Sequence, residues 1–122
     1  MVKSRRWVPL SPRAHLQRAA HVFPEVLAVS DGPHRTTYAQ YHARCSRLAS
    51  ALADMGVMPG DVVSTILPNI PAQAEAHFGV PACGAVLNTI NTRLDVDTVA
   101  YILDHGEAGS SPHLTLPTYH PL

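Results

Sequence analysis

Eight histidines and two cysteines are the residues of this 122-residue chain best suited to metal or nucleophile chemistry. Imidazole and thiolate ligands hold a metal only where spacing lets several converge. Here the spacing works against convergence. His15 and His21 would fall on opposite faces of a helix, and His77 and His105 have no Cys or His at ligand spacing. His42 and Cys45 lie one helical turn apart and could form half a site. The alternative, histidines that are solvated or at the edge of the core, needs no further ligand. Cys45 and Cys83 lack CxxC spacing and read as reduced, buried thiols. The chain contains no GxGxxG, GxxxxGK[ST], HExxH or GxSxG, so the signatures of dinucleotide, phosphate, zinc and acyl-serine chemistry are all missing. No catalytic, cofactor-binding or metal-binding residue is therefore predicted.

Two loops remain. Leu67-Pro68-Asn69 and Leu87-Asn88-Thr89-Ile90-Asn91-Thr92-Arg93 each follow an apolar run that reads as a strand. Ligands of open α/β sheets gather at the carboxyl ends of parallel strands. Asn69, Asn88, Asn91 and Arg93 are accordingly the candidate substrate-side residues. The competing reading has the asparagines as turn residues bonding their own backbone, with Arg93 a solvated charge.

The elements that must carry these loops have clear punctuation. Ser11-Pro12 starts a helix, with Ser as N-cap and Pro at the first position, and Pro24 stops it. Val26 to Val29 and Arg35 to Thr37 flank the turn Asp31-Gly32-Pro33, which predicts a small hairpin. Thr37 and Gln40 fit a capping box. After it, Tyr38, Tyr41, Cys45, Leu48, Leu52 and Met55 form an apolar stripe, with Gly56 as the left-handed residue past the end. Val62 to Leu67 reads as a strand covered on both faces. Ala72 to about Gly84 reads as a helix kinked at Pro81, whose small residues would let it pack close to a sheet. Ala85 to Leu87 is a second short strand. Asp95 caps a last helix in which Val96, Val99, Ile102 and Leu103 face inward and Gly106 ends the run. Strand–helix–strand–helix implies a parallel sheet with right-handed crossovers.

Composition sets the outer limits. At this length the chain is at most one small domain, and a hydrophobic share of 46% supplies a core. Zero net charge argues against a general nucleic-acid binder, whose phosphate contacts require excess Lys and Arg. No apolar run is long enough to span a bilayer. Residues 1–24 are Arg-rich and free of acids, which fits either a mitochondrial transit peptide or a basic first helix of the mature fold. His120-Pro121-Leu122 is not an SKL-type peroxisomal signal.

At the two loops, LPNIPAQAEAHFGVPACGAVLNTINTRLDVDTVAYILDHGEA resembles the opening segment of the AMP-binding, acyl-CoA synthetase-like superfamily, nearest its acyl-activating fatty-acid ligase branch. Upstream, PLSPRAHLQRAAHVFPEVLAVSDG and TTYAQYHARCSRLASALADMGVMPGDVV keep the same register, so the likeness runs from about Pro9 to Ala108. The resemblance favours the mature helix over a transit peptide. It implies an enzyme that joins a carboxylic acid to ATP with Mg as an acyl-adenylate, then passes the acyl group to coenzyme A, in the cytoplasm or peroxisome. The phosphate loop, Mg site, ribose-binding Asp and catalytic Lys of such enzymes belong to later segments and are not found here.

The expected fold is α/β, the N-terminal portion of a doubly wound domain with an incomplete sheet. It comprises helix, small hairpin, long helix, then parallel βαβα. Residues 1–108 are assigned to the synthetase domain and 109–122 to a divergent, disordered tail, where three prolines break any ladder. The expected function is that of a truncated acyl-CoA ligase, inactive by itself. The alternatives are a non-catalytic protein pairing its exposed sheet edge with a full-length ligase, and an unrelated small α/β binding module.

Overall fold

A computed structural model of the protein describes residues 10–106. The first helix, α1 (Pro12–Val22), begins where Ser11 accepts a hydrogen bond from the Ala14 amide at 3.2 Å. Strands β1 (Leu27–Asp31) and β2 (His34–Thr37) pair antiparallel around Gly32, whose φ of 54° supplies the left-handed turn. The expected hairpin is thus in place.

Helix α2 (Tyr38–Asp54) has its capping box in full. The Gln40 amide donates to the Thr37 hydroxyl at 3.4 Å, and the Thr37 amide donates to Gln40 Oε1 at 3.0 Å. At the other end, Val57 N–H bonds the Leu52 carbonyl and Gly56 N–H the Ala53 carbonyl, both at 3.0 Å, with Gly56 at φ 92°. That pair of bonds is a Schellman motif, and it satisfies carbonyls that the helix end would otherwise orphan.

Strands β3 (Val62–Thr65) and β4 (Val86–Thr89) run parallel, Val62 beside Val86 through Thr65 beside Thr89, with α3 (Pro71–Ala82) as the connection. Helix α4 (Val96–Gly106) follows β4. Four helices and two two-stranded sheets are therefore present among the described residues, a mixed α/β arrangement with an incomplete sheet.

The main core joins α2, β3, α3 and the start of β4 through Leu52, Val63, Ala76, Val80 and Ala85. A second cluster of Leu16, Tyr41 and Cys45 ties α1 to α2, with Phe78 against it. Helices α2 and α3 approach closely at Gly79, where an added Cβ would come within 2.7 Å of Leu48 Cδ2. The small residues of α3 thus serve helix–helix contact as well as contact with the sheet. Across the same seam the Tyr41 hydroxyl donates to the Ala74 carbonyl at 2.6 Å, its ring meets Phe78 edge-on, and Arg44 pairs with Glu75.

Four expectations need correction. Helix α3 ends at Ala82 rather than near Gly84, because Pro81 lacks the N–H owed to the His77 carbonyl and the helix stops one residue later. Strand β3 ends at Thr65, before Ile66 and Leu67, where the Ile90 amide takes the Thr65 carbonyl. Met55 is the C-cap of α2 and lies exposed rather than completing the buried stripe. Val96 is 83% exposed, and Val99, Ile102 and Leu103 are only half-buried, so α4 contains no fully buried residue. The tail at 109–122, like the stretch before Leu10, lies outside the described residues.

Candidate functional site

The carboxyl ends of β3 and β4 open onto a cavity of about 660 Å³. One buried hydroxyl at the end of β3 anchors a residue of its wall. Thr65 is wholly inaccessible to solvent, so its hydroxyl must find a protein partner, and it donates to Gln73 Oε1 at 3.1 Å. This fixes Gln73, in the first turns of α3, against the end of β3. One turn on, His77 Nδ1 meets the Gln73 carbonyl at 2.7 Å. A carbonyl only accepts, so Nδ1 carries the proton and Nε2 is the ring's acceptor in the neutral form. The second loop is held by the Ile90 amide on the Thr65 carbonyl at 2.8 Å.

Three of the four candidate residues come together here. Asn69, Asn91 and Arg93 line the cavity with Gln73, His77 and Thr89. Asn91 Oδ1 accepts from the Arg93 amide at 3.0 Å, so this asparagine spends its carbonyl on its own turn, as the competing reading had it. Asn88 is placed elsewhere. It donates to the Ser64 hydroxyl at 3.1 Å, beside it in register, on the opposite sheet face where Gly106 packs close. Alternation along β4 makes this unavoidable: with Thr89 toward the cavity, Asn88 must point away.

The sequence reading missed Gln73 and His77. Their signal was the i, i+4 spacing of two polar residues on a helix made otherwise of small and apolar ones. The same two residues and Asn69 also wall a second cavity of about 650 Å³, bounded beyond them by Val29, Tyr41, Ile70 and Phe78. The half-site of His42 and Cys45 lies apart from both, beside a smaller cavity of about 300 Å³.

Electrostatics separates the two regions. Among the described residues lining the strand-end cavity, Arg93 is the one guanidinium and there is no carboxylate, so this lining complements an anion. Cys45 is no nucleophile at neutral pH: burial, and then the negative charge of Glu75, push its thiol up to about 11. Burial likewise raises the Tyr41 phenol far above its ordinary range. Among the described residues, no group of three or more His, Cys, Asp or Glu is placed to hold a metal ion. No helix among them is long and apolar enough to cross a membrane.

A model of the AMP-binding enzyme family matches residues 16–110. The peroxisomal acetate/butyrate–CoA ligase of Arabidopsis thaliana is 51% identical over 102 residues, which is 84% of this chain and 18% of that protein. The peroxisomal trans-cinnamate:CoA ligase of Petunia hybrida is 47% identical over 102 residues, with the same two shares, 84% and 18%. The chain thus spans less than a fifth of the length of these curated relatives. Among solved structures, a Mycobacterium tuberculosis fatty acyl CoA synthetase superposes with a TM-score of 0.73 at 33% identity, covering 82% of this chain and 20% of that one. The N-terminal subdomain of Klebsiella oxytoca NpsA, solved with anthranilyl-AMSN, reaches a TM-score of 0.78 at 19% identity, over 87% of this chain and 30% of that one, and supports the fold alone.

Proposed function

The chain belongs to the AMP-binding enzyme family, and from that premise we propose that it supplies the opening segment of an AMP-forming acyl-CoA ligase, with its strand-end loops forming one wall of the substrate cleft. The match over residues 16–110 carries the reading. The strand-end cavity with Asn69, Asn91 and Arg93 supports it, since this is where open α/β sheets meet their ligands. The substrate class is a carboxylic acid, as the names of the relatives state for those enzymes. The peroxisome is the proposed compartment, because those same relatives are named as peroxisomal.

The family implies ATP, Mg and coenzyme A, and the residues described here do not fit the metal–nucleotide part of that set. Glu75 is paired with Arg44, and Asp95 accepts from the amide and hydroxyl of Thr98 at the start of α4. No three or more of the His, Cys, Asp and Glu side chains converge into a metal site among the described residues. No catalytic step is therefore assigned to this segment. Its role in the reaction is to position, through Arg93 and the Thr65–Gln73–His77 chain of bonds.

A chimera tests the proposal. Residues 10–106 replace the matching segment of the Arabidopsis acetate/butyrate–CoA ligase, and pyrophosphate exchange into ATP is measured with short to long acids. Exchange by the chimera, with none from the 122-residue chain alone, is the expected result. A folded but inactive chimera would refute the proposal, as would exchange by the chain alone. A second reading, a non-catalytic partner that pairs with a full-length ligase, draws on β3 and β4 each having one ladder neighbour among the described residues. Co-purification of the chain with such a ligase would favour it.

A further inference from the structure

We propose that the corner joining α1 to β1 docks on the surface of an anionic lipid bilayer, its apolar side chains entering the headgroup layer and its basic flank meeting the lipid charge. The corner shares no residue with the strand-end cavity, and its docking requires nothing of the ligase reading.

Backbone bonds build the corner. The Phe23 amide caps α1 on the Ala19 carbonyl at 2.8 Å, and the Val26 amide turns back onto the Phe23 carbonyl at 3.1 Å. The Pro24 and Val26 carbonyls accept from the Ala39 and Tyr38 amides, both at 3.0 Å. The turn is thereby fixed to the start of α2 and does not close over its own side chains. Val22, Phe23, Val26 and Leu27 stay 47%, 56%, 52% and 39% exposed. Single exposed apolar residues are ordinary, whereas four within six positions of a bonded turn make a patch that calls for a partner.

Charge selects the partner. The first 24 residues hold five of the nine Lys and Arg and none of the nine Asp and Glu. Arg13 and Arg18 are exposed on α1, and Arg18 lies one turn before Val22 on the same side of the helix. Glu25 is the one acid within the corner. Two other exposed apolar pairs are placed differently. Met55 and Met58 fall between Asp54 and Asp61, and Val96 and Tyr101 share α4 with Asp97 and Asp104, so an anionic surface would repel both regions. A bilayer bearing acidic lipids uses both properties of the corner at once: apolar side chains supply insertion and cations supply attraction to the headgroups. A nucleic acid would engage the cations and leave the apolar side chains uncovered. A second copy in a symmetric contact would bring two basic flanks together.

The test is co-sedimentation of the full 122-residue chain with vesicles of phosphatidylcholine alone or with about 30% phosphatidylserine. Circular dichroism confirms that each variant folds. Binding to the acidic vesicles is expected to be at least about tenfold tighter, and to fall as salt rises from about 0.1 M to about 0.5 M. Phe23→Ser should weaken it about tenfold, and Arg13→Glu with Arg18→Glu should remove the preference for acidic lipid. Glu25→Lys should strengthen binding severalfold, whereas Val96→Ser, on α4, should leave it unchanged. The proposal is overturned if acidic vesicles do not bring the chain down, if neutral vesicles bind as well, or if Phe23→Ser has no effect. Self-association in sedimentation velocity that Phe23→Ser abolishes, with no vesicle binding, would assign the corner to a second copy instead. Tighter binding to a short DNA duplex than to acidic vesicles, insensitive to Phe23→Ser, would assign the cations to nucleic acid and equally overturn it.

Discussion

Replacing Gly79 with alanine tests the packing that holds the site's helix in place. In an exposed helix this change would stabilise by about 1 kcal/mol, because alanine restricts the unfolded backbone and favours helix. At Gly79 the added Cβ would meet Leu48 Cδ2 at 2.7 Å, Cγ at 2.9 Å and Cβ at 3.0 Å. Rotating the end of the Leu48 side chain relieves the first contact and leaves the last. Overpacking of this kind costs about 1–3 kcal/mol, so the net effect is a loss of roughly 0–2 kcal/mol once the helix term is subtracted. Leu48→Ala removes Cγ and Cδ2, and in that background Gly79→Ala should turn neutral or stabilising. A coupling of about 1 kcal/mol or more between the two positions is expected. Urea unfolding of the four proteins, followed by circular dichroism at equal slope, measures it. If Gly79→Ala stabilises equally with and without the leucine side chain, the close approach of α2 and α3 is not real.

Thr37→Ala should cost about 1 kcal/mol in the same unfolding assay, since it removes one arm of the α2 capping box, and Thr37→Ser should recover most of it. The Cys45 thiol is raised in the fold from an ordinary 9.0 to about 11, so the unfolded chain ionises first. Stability is then complete below about pH 9 and falls as pH rises toward 11. Cys45→Ala should flatten that alkaline decline in pH-dependent unfolding, leaving the share due to Tyr41, which shifts in the same direction.

How much was legible depended on how local each signal was. Ser11, Thr37, Gln40, Gly56 and Asp95 act on backbone groups within a few residues, so their roles followed from spacing, and the structure has each where expected. The placement of Asn88 away from the cavity was hidden for a different reason. A four-residue strand has two faces, and only its register against β3 decides which one bears a given residue. Val96 failed because an amphipathic pattern states which face would be buried, whereas burial needs a neighbour, and α4 has little. Gln73 is held at the cavity by a hydroxyl eight residues earlier on another element, a tertiary contact that spacing does not announce, and His77 lies one turn further along α3.

Helix α4, with no fully buried side chain, has a thermodynamic consequence. Among the described residues it meets the rest of the fold through the half-buried Val99, Ile102 and Leu103 and the approach of Gly106 to Asn88. Opening it costs far less than opening α2 or α3, so its amides should exchange with solvent deuterium by local fraying while those around Leu52 and Val80 wait for global unfolding. The chain then behaves as two cooperative units of unequal stability, and the loop bearing Arg93 lies on the boundary between them.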